Sequence, residues 1–150
     1  MSFLDLRQNR FCILHDYEQT LNLGRAFAKH LSKPTIIFLY GDLGSGKTSF
    51  SKGFIHEKTK EPLSVITSPT FVYMNLYEGN NHKVAHFDLY RLKSKSDFFA
   101  LGFDEVLLNP IYSLVEWPEI IKDLDVPHIE LRFSEVNGFR KAEWIGGEIE

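Results

Sequence analysis

Thr35-Ile36-Ile37-Phe38-Leu39-Tyr40-Gly41-Asp42-Leu43-Gly44-Ser45-Gly46-Lys47-Thr48 is the stretch that decides the fold. Its first half is a continuous β-branched and aromatic run bounded by Pro34 and Gly41. A run without polar alternation reads as a strand buried on both faces, as in an α/β sheet. Its second half fits G-x-x-x-x-G-K-[ST] in full, and Lys47–Lys58 reads as a helix with Phe50, Phe54 and Ile55 inward. Strand, glycine-rich turn and helix form the context this phosphate-binding pattern needs. Gly41, Gly44 and Gly46 permit backbone conformations closed to other residues and let a phosphate approach. Successive N–H groups, those of Asp42, Leu43 and Ser45 included, then make an anion-binding nest. The helix adds its free N–H groups and the positive end of its dipole. Lys47 can place a cation on β- and γ-phosphates, and the Thr48 hydroxyl can ligate Mg²⁺. The pattern distinguishes neither ATP from GTP nor hydrolysis from transfer to an acceptor.

Upstream, a helix is expected over about 17–32. Asp16 can cap it with Gln19 three residues on, and Leu21, Gly24, Ala28 and Leu31 recur at helical spacing, widened by Leu23 and Phe27. Downstream, a short strand is expected around Val65-Ile66. Phe71–Tyr77 and Lys83–Tyr90 read as strands joined at Gly79-Asn80-Asn81. A short helix is expected over Ser96–Gly102 and a strand over Tyr112–Val115. His128–Val136 and Phe139–Ile145, joined by Asn137-Gly138, give a strong hairpin signal. The order predicts an α/β, P-loop NTPase-like sandwich, with a mixed β-sheet flanked by helices and a C-terminal hairpin.

The 150 residues carry 17 Lys+Arg and 20 Asp+Glu, a net charge of −3, so one domain over 1–150 is expected. Hydrophobic residues at 43%, with 13 Phe, suffice for a core that folds without disulfides. A single cysteine, Cys12, excludes an intramolecular disulfide and a Cys-based zinc site, and reads as a small buried apolar side chain. The apolar runs fall far short of the about 20 residues of a membrane helix. The N-terminus lacks a basic region followed by an apolar stretch. The expectation is a cytoplasmic chain with no membrane partner. Slight acidity argues against tight non-specific nucleic-acid binding.

A P-loop site needs an acidic residue at the end of a neighbouring strand. Glu116 follows Leu114-Val115. In Val84–Arg91, period-two alternation puts His86, Asp88 and Tyr90 on one face, opposite Ala85, Phe87 and Leu89. Both Asp88 and Glu116 are expected near the metal, one as ligand and the other orienting water, with the assignment open. From spacing alone, Thr67-Ser68-Pro69-Thr70 is a proline turn. His82 and His86 lack a third ligand and read as a surface group and a neighbour of the site rather than a zinc pair. Trp144 and the phenylalanines read as core. Lys52, Lys58 and Lys60 read as a solvated helix face. For Arg91, a partner contact, a salt bridge and charge stabilisation stay open.

Taken in order, Gly41–Thr48, Thr67–Phe71, His86-Phe87-Asp88-Leu89-Tyr90-Arg91 and Val115-Glu116-Trp117-Pro118-Glu119 closely resemble the bacterial TsaE (YjeE) family, small P-loop ATPases of tRNA threonylcarbamoyladenosine synthesis. Glu18–Gly24 and Leu101–Glu105 resemble further family segments, while the C-terminal hairpin matches in character only. Ser45 stands where many members have Ala. The resemblance implies ATP as nucleotide and Mg²⁺ held through Thr48 and Glu116, with Asp88 also required. It places Thr70 in a switch-like loop, gives Trp117 a role beside the metal-side acid, and sets Tyr17 and Thr20 near the adenine. The catalytic set it implies is Lys47, Asp88, Glu116 and Thr70. Hydrolysis is then slow alone and serves a TsaD–TsaB complex that modifies tRNA adenosine, so tRNA is met through that complex.

Two other readings fit the glycine loop: a metabolite kinase and a non-catalytic ATP switch. Kinases of this kind clamp the phosphoryl group with lid arginines, and the six Arg here form no cluster in sequence.

Overall fold

The computed structural model describes residues 6–146. Seven strands form one sheet: β1 (Phe11–Leu14), β2 (Ile36–Tyr40), β3 (Met74–Gly79), β4 (His82–Asp88), β5 (Tyr112–Glu116), β6 (Ile129–Val136) and β7 (Phe139–Ile145). Their spatial order is β1-β7-β6-β2-β5-β4-β3. The central strands β6, β2, β5 and β4 run parallel, while β1, β7 and β3 pair antiparallel. The sheet is therefore mixed, as expected.

The apolar run in β2 has a direct cause. Ile37 and Leu39 point into one core, and Ile36, Phe38 and Tyr40 into the other. The first core is closed by α1 (Tyr17–His30) and α2 (Lys47–Thr59), through Leu23, Phe27, Phe50 and Phe54. The second is closed by α3 (Lys95–Ala100) and α4 (Phe103–Leu108), through Phe98, Phe103 and Leu107. Among the described residues, no helix is long and apolar enough to cross a membrane.

Asp16 caps α1 by accepting from the Gln19 amide at 2.8 Å, and Gln19 Oε1 accepts from the His15 amide at 2.8 Å. The two helices then meet backbone to backbone. A Cβ on Gly24 would sit 2.1 Å from the Phe50 carbonyl oxygen, and one on Gly53 would sit 2.0 Å from that of Leu21. Only glycine allows this approach, and the approach seats α1 against the helix that follows the glycine loop.

Several expectations are corrected. Val65-Ile66 is not a strand: Leu63–Val65 is a 3-10 turn, with the Val65 amide bonded to the Pro62 carbonyl. β3 starts at Met74 rather than Phe71, because the preceding segment curls, with the Tyr73 amide on the Pro69 carbonyl at 2.7 Å. Phe71 is 79% exposed, and Phe11, Phe99 and Phe139 are exposed too, so not every phenylalanine is core. β1 and α4 were not expected. Gly102, at φ 77°, ends one short helix and starts the next. Lys58 is buried rather than solvated. Its Nζ donates to the Leu31 carbonyl at 2.8 Å, which also accepts from Tyr112 Oη at 2.8 Å. This places a cation at the C-terminal end of α1, where the helix dipole favours it. Burial pushes that amine below the ordinary lysine range. Trp144 is core, and Cys12 is half-buried against it.

A glycine-to-alanine change inside a solvated helix stabilises by up to about 1 kcal/mol. At Gly53 the sign reverses. Gly53→Ala overpacks the α1–α2 contact and lowers stability by about 1–3 kcal/mol, read by urea unfolding.

Candidate functional site

The parallel register builds the site. Leu39, one residue before the end of β2, is the partner of Glu116 at the end of β5, and Asp88 at the end of β4 is also a partner of Glu116. The two acids therefore stand side by side at the carboxyl ends of the strands, beside the turn that leaves β2. Sites in open α/β sheets form at that edge. Gly41, Gly44 and Gly46 hold φ at 151°, 75° and 118° in the turn, so the loop takes the conformation that its glycines permit. A cleft of about 410 Å³ opens there, lined by Gly44–Ser49, Ser68, Thr70, Asp88, Glu116 and Trp117 among others. A slightly larger cavity, about 460 Å³, lies at the opposite strand ends around Thr35, Ile111 and His128. It has neither the glycine loop nor the acids, so the chemistry selects the smaller one.

Glu116 is 3% exposed and fully engaged. Thr48 Oγ1 lies 2.9 Å and 3.2 Å from its two oxygens, and His86 Nε2 lies 2.5 Å from Oε2. His86 is itself wholly buried, and its Nδ1 has no partner. Asp88, 6% exposed, faces the other way. Its Oδ2 accepts from Ser68 Oγ at 3.1 Å and Thr70 Oγ1 at 3.5 Å, and its Oδ1 from the Tyr90 amide at 3.0 Å. One carboxylate thus answers to the glycine-loop helix and the other to the loop over 67–73.

Lys47 Nζ donates to the Gly41 carbonyl and, at 3.1 Å, to the Asp42 carbonyl. It also sits 3.8 Å from the centroid of the Trp117 ring, a cation–π contact. Burial pushes its ammonium below the ordinary lysine range, against an upward pull from Glu116, Glu119, Asp88 and Asp42. Trp117 holds φ at 56°, an uncommon conformation for a bulky residue and one that recurs at functional sites. Its ring meets Tyr90 at 4.8 Å between centroids.

The donor set suits a hard cation. Thr48, Glu116 and Asp88 offer only oxygen, and among the described residues no group of three or more His, Cys, Asp or Glu could enclose a metal ion by itself. Mg²⁺ binds in this way, through one or two carboxylates, waters and substrate phosphates. Gly41 packs tightly within the loop: a Cβ there would lie 2.5 Å from Ser45 Oγ and 3.1 Å from the Phe133 Cβ.

Lys47, Thr48, Thr70, Asp88, Glu116 and Trp117, all singled out in the sequence, line the same cleft. Leu43, Gly44, Ser45 and Gly46 line it too, while Gly41 and Asp42 lie behind the lining, their carbonyls accepting from Lys47. Tyr17 stands apart, in a hollow of about 180 Å³ with Asp16, Phe139 and Arg140. Thr20 is buried under the loop, with its Cγ2 3.3 Å from where a Gly46 Cβ would be. Arg91 lines the cleft, its guanidinium 5.0 Å from the centroid of Phe71. His86, read from the sequence as a neighbour of the site, touches Glu116 directly. One contact was missed. Arg140 lines the cleft from β7; only the hairpin register could have signalled that.

Residues 14–142 match the family model described as "Threonylcarbamoyl adenosine biosynthesis protein TsaE". Relatives named tRNA threonylcarbamoyladenosine biosynthesis protein TsaE include that of Rickettsia felis, 43% identical over 115 residues, which are 77% of this chain and 66% of that protein. The Rickettsia bellii protein is 42% identical over 127 residues, 84% of this chain and 87% of its own. The Borreliella burgdorferi protein is 38% identical over 133 residues, 86% and 94% of the two chains. The match thus spans just under two thirds of the Rickettsia felis protein. The crystal structure of Bacillus subtilis YdiB is similar at a TM-score of 0.70 and 25% identity, covering 91% of this chain and 85% of that one. That likeness supports a P-loop-like fold, and family and fold together suggest nucleotide binding. With the family model running from the end of β1 to within β7, and relatives this similar over most of the chain, the protein belongs to the TsaE family.

Proposed function

We propose that residues 1–150 act as one cytoplasmic, Mg²⁺-dependent ATPase domain that supports a TsaD–TsaB complex in threonylcarbamoyl modification of tRNA adenosine. The observation that carries the nucleotide reading is the 2.9 Å contact between Thr48 Oγ1 and the buried Glu116 carboxylate. A glycine loop alone marks an anion site. A strand-end acid pressed against the loop hydroxyl marks a place for a cation bridging protein and phosphate. The pathway reading rests on the names of the relatives and on the resemblance in the four sequence blocks.

Each residue then has a task. The amides from Gly41 to Thr48 hold the phosphate chain in the nest and at the start of α2. Lys47 leaves the Gly41 and Asp42 carbonyls and the Trp117 face to neutralise the β- and γ-phosphates. Thr48 and Glu116 would hold Mg²⁺, which would supply Lewis-acid polarisation of phosphate oxygens. His86 keeps Glu116 oriented. Asp88 orients the attacking water and ties its position to Ser68 and Thr70, so the loop over 67–73 senses the γ-phosphate. Tyr17 and Thr20, at the start of α1, face the adenine end. Rate enhancement comes from positioning and fixed charge, with no covalent intermediate on the protein. The TsaD–TsaB complex supplies the transfer chemistry, and ATP hydrolysis resets it between turnovers.

Two outcomes are expected. ATP hydrolysis by the wild-type chain rises when purified TsaB–TsaD is added, and multiple-turnover tRNA modification in the same tube is lost with Lys47→Ala. Modification that proceeds equally without this chain would refute the role. Separately, Asp88→Ala frees Ser68 and Thr70, and the Tyr73 amide exchanges hydrogen at least about tenfold faster than in wild type, measured by mass spectrometry or NMR.

A further inference from the structure

The loop over 67–73 runs between two packed ends. Ile66, before it, is wholly buried in the core closed by α1 and α2, and Met74, after it, packs against the core closed by α3 and α4. Backbone groups hold its far end. Tyr73, at φ 66°, donates its amide to the Pro69 carbonyl at 2.7 Å, and its carbonyl accepts from the Asp88 amide at 2.9 Å. A side chain of β3 holds the near end. Tyr77 Oη accepts from the Thr67 amide at 3.2 Å and donates to the Thr67 carbonyl at 3.4 Å. Asn75 Nδ2 donates to the same hydroxyl at 3.4 Å and to the same carbonyl at 3.5 Å.

A phenol hydroxyl has one proton to donate and room to accept two. All three are spent here, two on Thr67 and the third on the amide that also reaches Thr67. Solvation does not require this, since Thr67 is exposed and water would satisfy both of its backbone groups. What the hydroxyl adds is location. The Tyr77 ring packs against the core closed by α1 and α2. The end of β3 is seated on α2, where a Cβ on Gly79 would lie 2.3 Å from the Thr59 carbonyl oxygen. The anchor therefore ties the loop to the helix that follows the glycine loop. Ser68 comes next in the chain, and its Oγ lies 3.1 Å from Asp88 Oδ2 and 3.1 Å from Thr70 Oγ1. Where Thr67 is held decides whether these two hydroxyls reach the acid.

We propose that Tyr77 is a positioning residue for ATP hydrolysis: its hydroxyl fixes Thr67 and so places Ser68 and Thr70 on the Asp88 carboxylate. The inference rests on the ATP reading and deepens it, because Asp88 is the group assigned there to the attacking water. Tyr77 does not itself line the cleft, so it acts on the rate and leaves nucleotide binding alone. A misplacement of about 1 Å far from the chemistry is enough to cost about a hundredfold.

The test uses the full chain with purified TsaB–TsaD, as wild type, Lys47→Ala, Tyr77→Phe, Ser68→Ala and the Tyr77→Phe, Ser68→Ala double variant. ATP hydrolysis is followed over a range of Mg²⁺-ATP concentrations, and each protein is melted without nucleotide. Phenylalanine keeps the ring on the core, so Tyr77→Phe is expected to melt with wild type. Its kcat is expected to fall roughly tenfold to a hundredfold at unchanged KM. The double variant is expected to be about as slow as the slower single variant, since both changes remove the same contact to Asp88. A wild-type kcat in Tyr77→Phe overturns the inference, as do losses that multiply in the double variant. A raised KM or a lowered melting temperature in Tyr77→Phe overturns it too, because the hydroxyl is then a structural tie. If Lys47→Ala abolishes hydrolysis and Tyr77→Phe leaves it intact, the ATP reading stands and the inference alone falls. If wild type hydrolyses no ATP, both fall together.

Discussion

Glu116 is the constraint on which the rest of the site depends. A carboxylate that is 3% exposed has to be matched by hydrogen-bond donors or by opposite charge, since desolvating it unpaired is among the costliest things a fold can do. Here the partners come from two other elements: Thr48 from α2 and His86 from β4. Because each partner is reached through a different element, the carboxylate can be satisfied only when sheet register and helix position are both right. The same oxygens suit a cation. The contacts that hold Glu116 in the absence of ligand also keep it oriented toward the glycine loop.

The sheet makes that convergence possible. Parallel pairing of β2, β5 and β4 aligns their carboxyl ends, and Leu39, Glu116 and Asp88 fall in one row. The turn leaving β2 then starts beside the acids, and α2 begins within reach of them. Close backbone contact between α1 and α2 at Gly24 and Gly53 fixes the helix against its neighbour, so loop and acids keep their spacing. The two acids divide the space between them: Glu116 faces the helix that follows the loop, and Asp88 holds Ser68 and Thr70 in the loop over 67–73. A geometry in which one acid grips the helix after the glycine loop and the other grips the loop over 67–73 is suited to linking the state of a bound phosphate to the protein surface at Phe71 and Val72, which lie exposed beside Thr70.

Much of this was legible in the sequence because it depends on local pattern. The unbroken apolar run of β2, the glycine spacing after it and the alternation that puts His86 and Asp88 on one face are properties of adjacent residues. What was not legible depends on register between distant strands. Arg140 reaches the loop because β7 lies between β6 and β1, a placement that no window around residue 140 contains. Lys58 looked like part of a solvated face because its charge hides the fact that its amine ends on the Leu31 carbonyl. The expected strand at Val65-Ile66 failed to Pro62, which starts a 3-10 turn, and the expected start of β3 at Phe71 failed to hydrogen bonds at Pro69 and Asp88. β1 was missed because it is a four-residue edge strand whose only pairing is with β7. In each case a tertiary partner outweighed local preference.

The central claim is that Thr48 and Glu116 form one half of a cation site completed by nucleotide phosphate. The most direct measurement is the affinity of the full chain for ATP with Mg²⁺ and with chelator, in wild type and Glu116→Gln. The account predicts that Mg²⁺ tightens ATP binding in wild type and that this advantage disappears in Glu116→Gln, while metal-free ATP binds the variant as well as or better than wild type. An undiminished Mg²⁺ advantage in Glu116→Gln would contradict it.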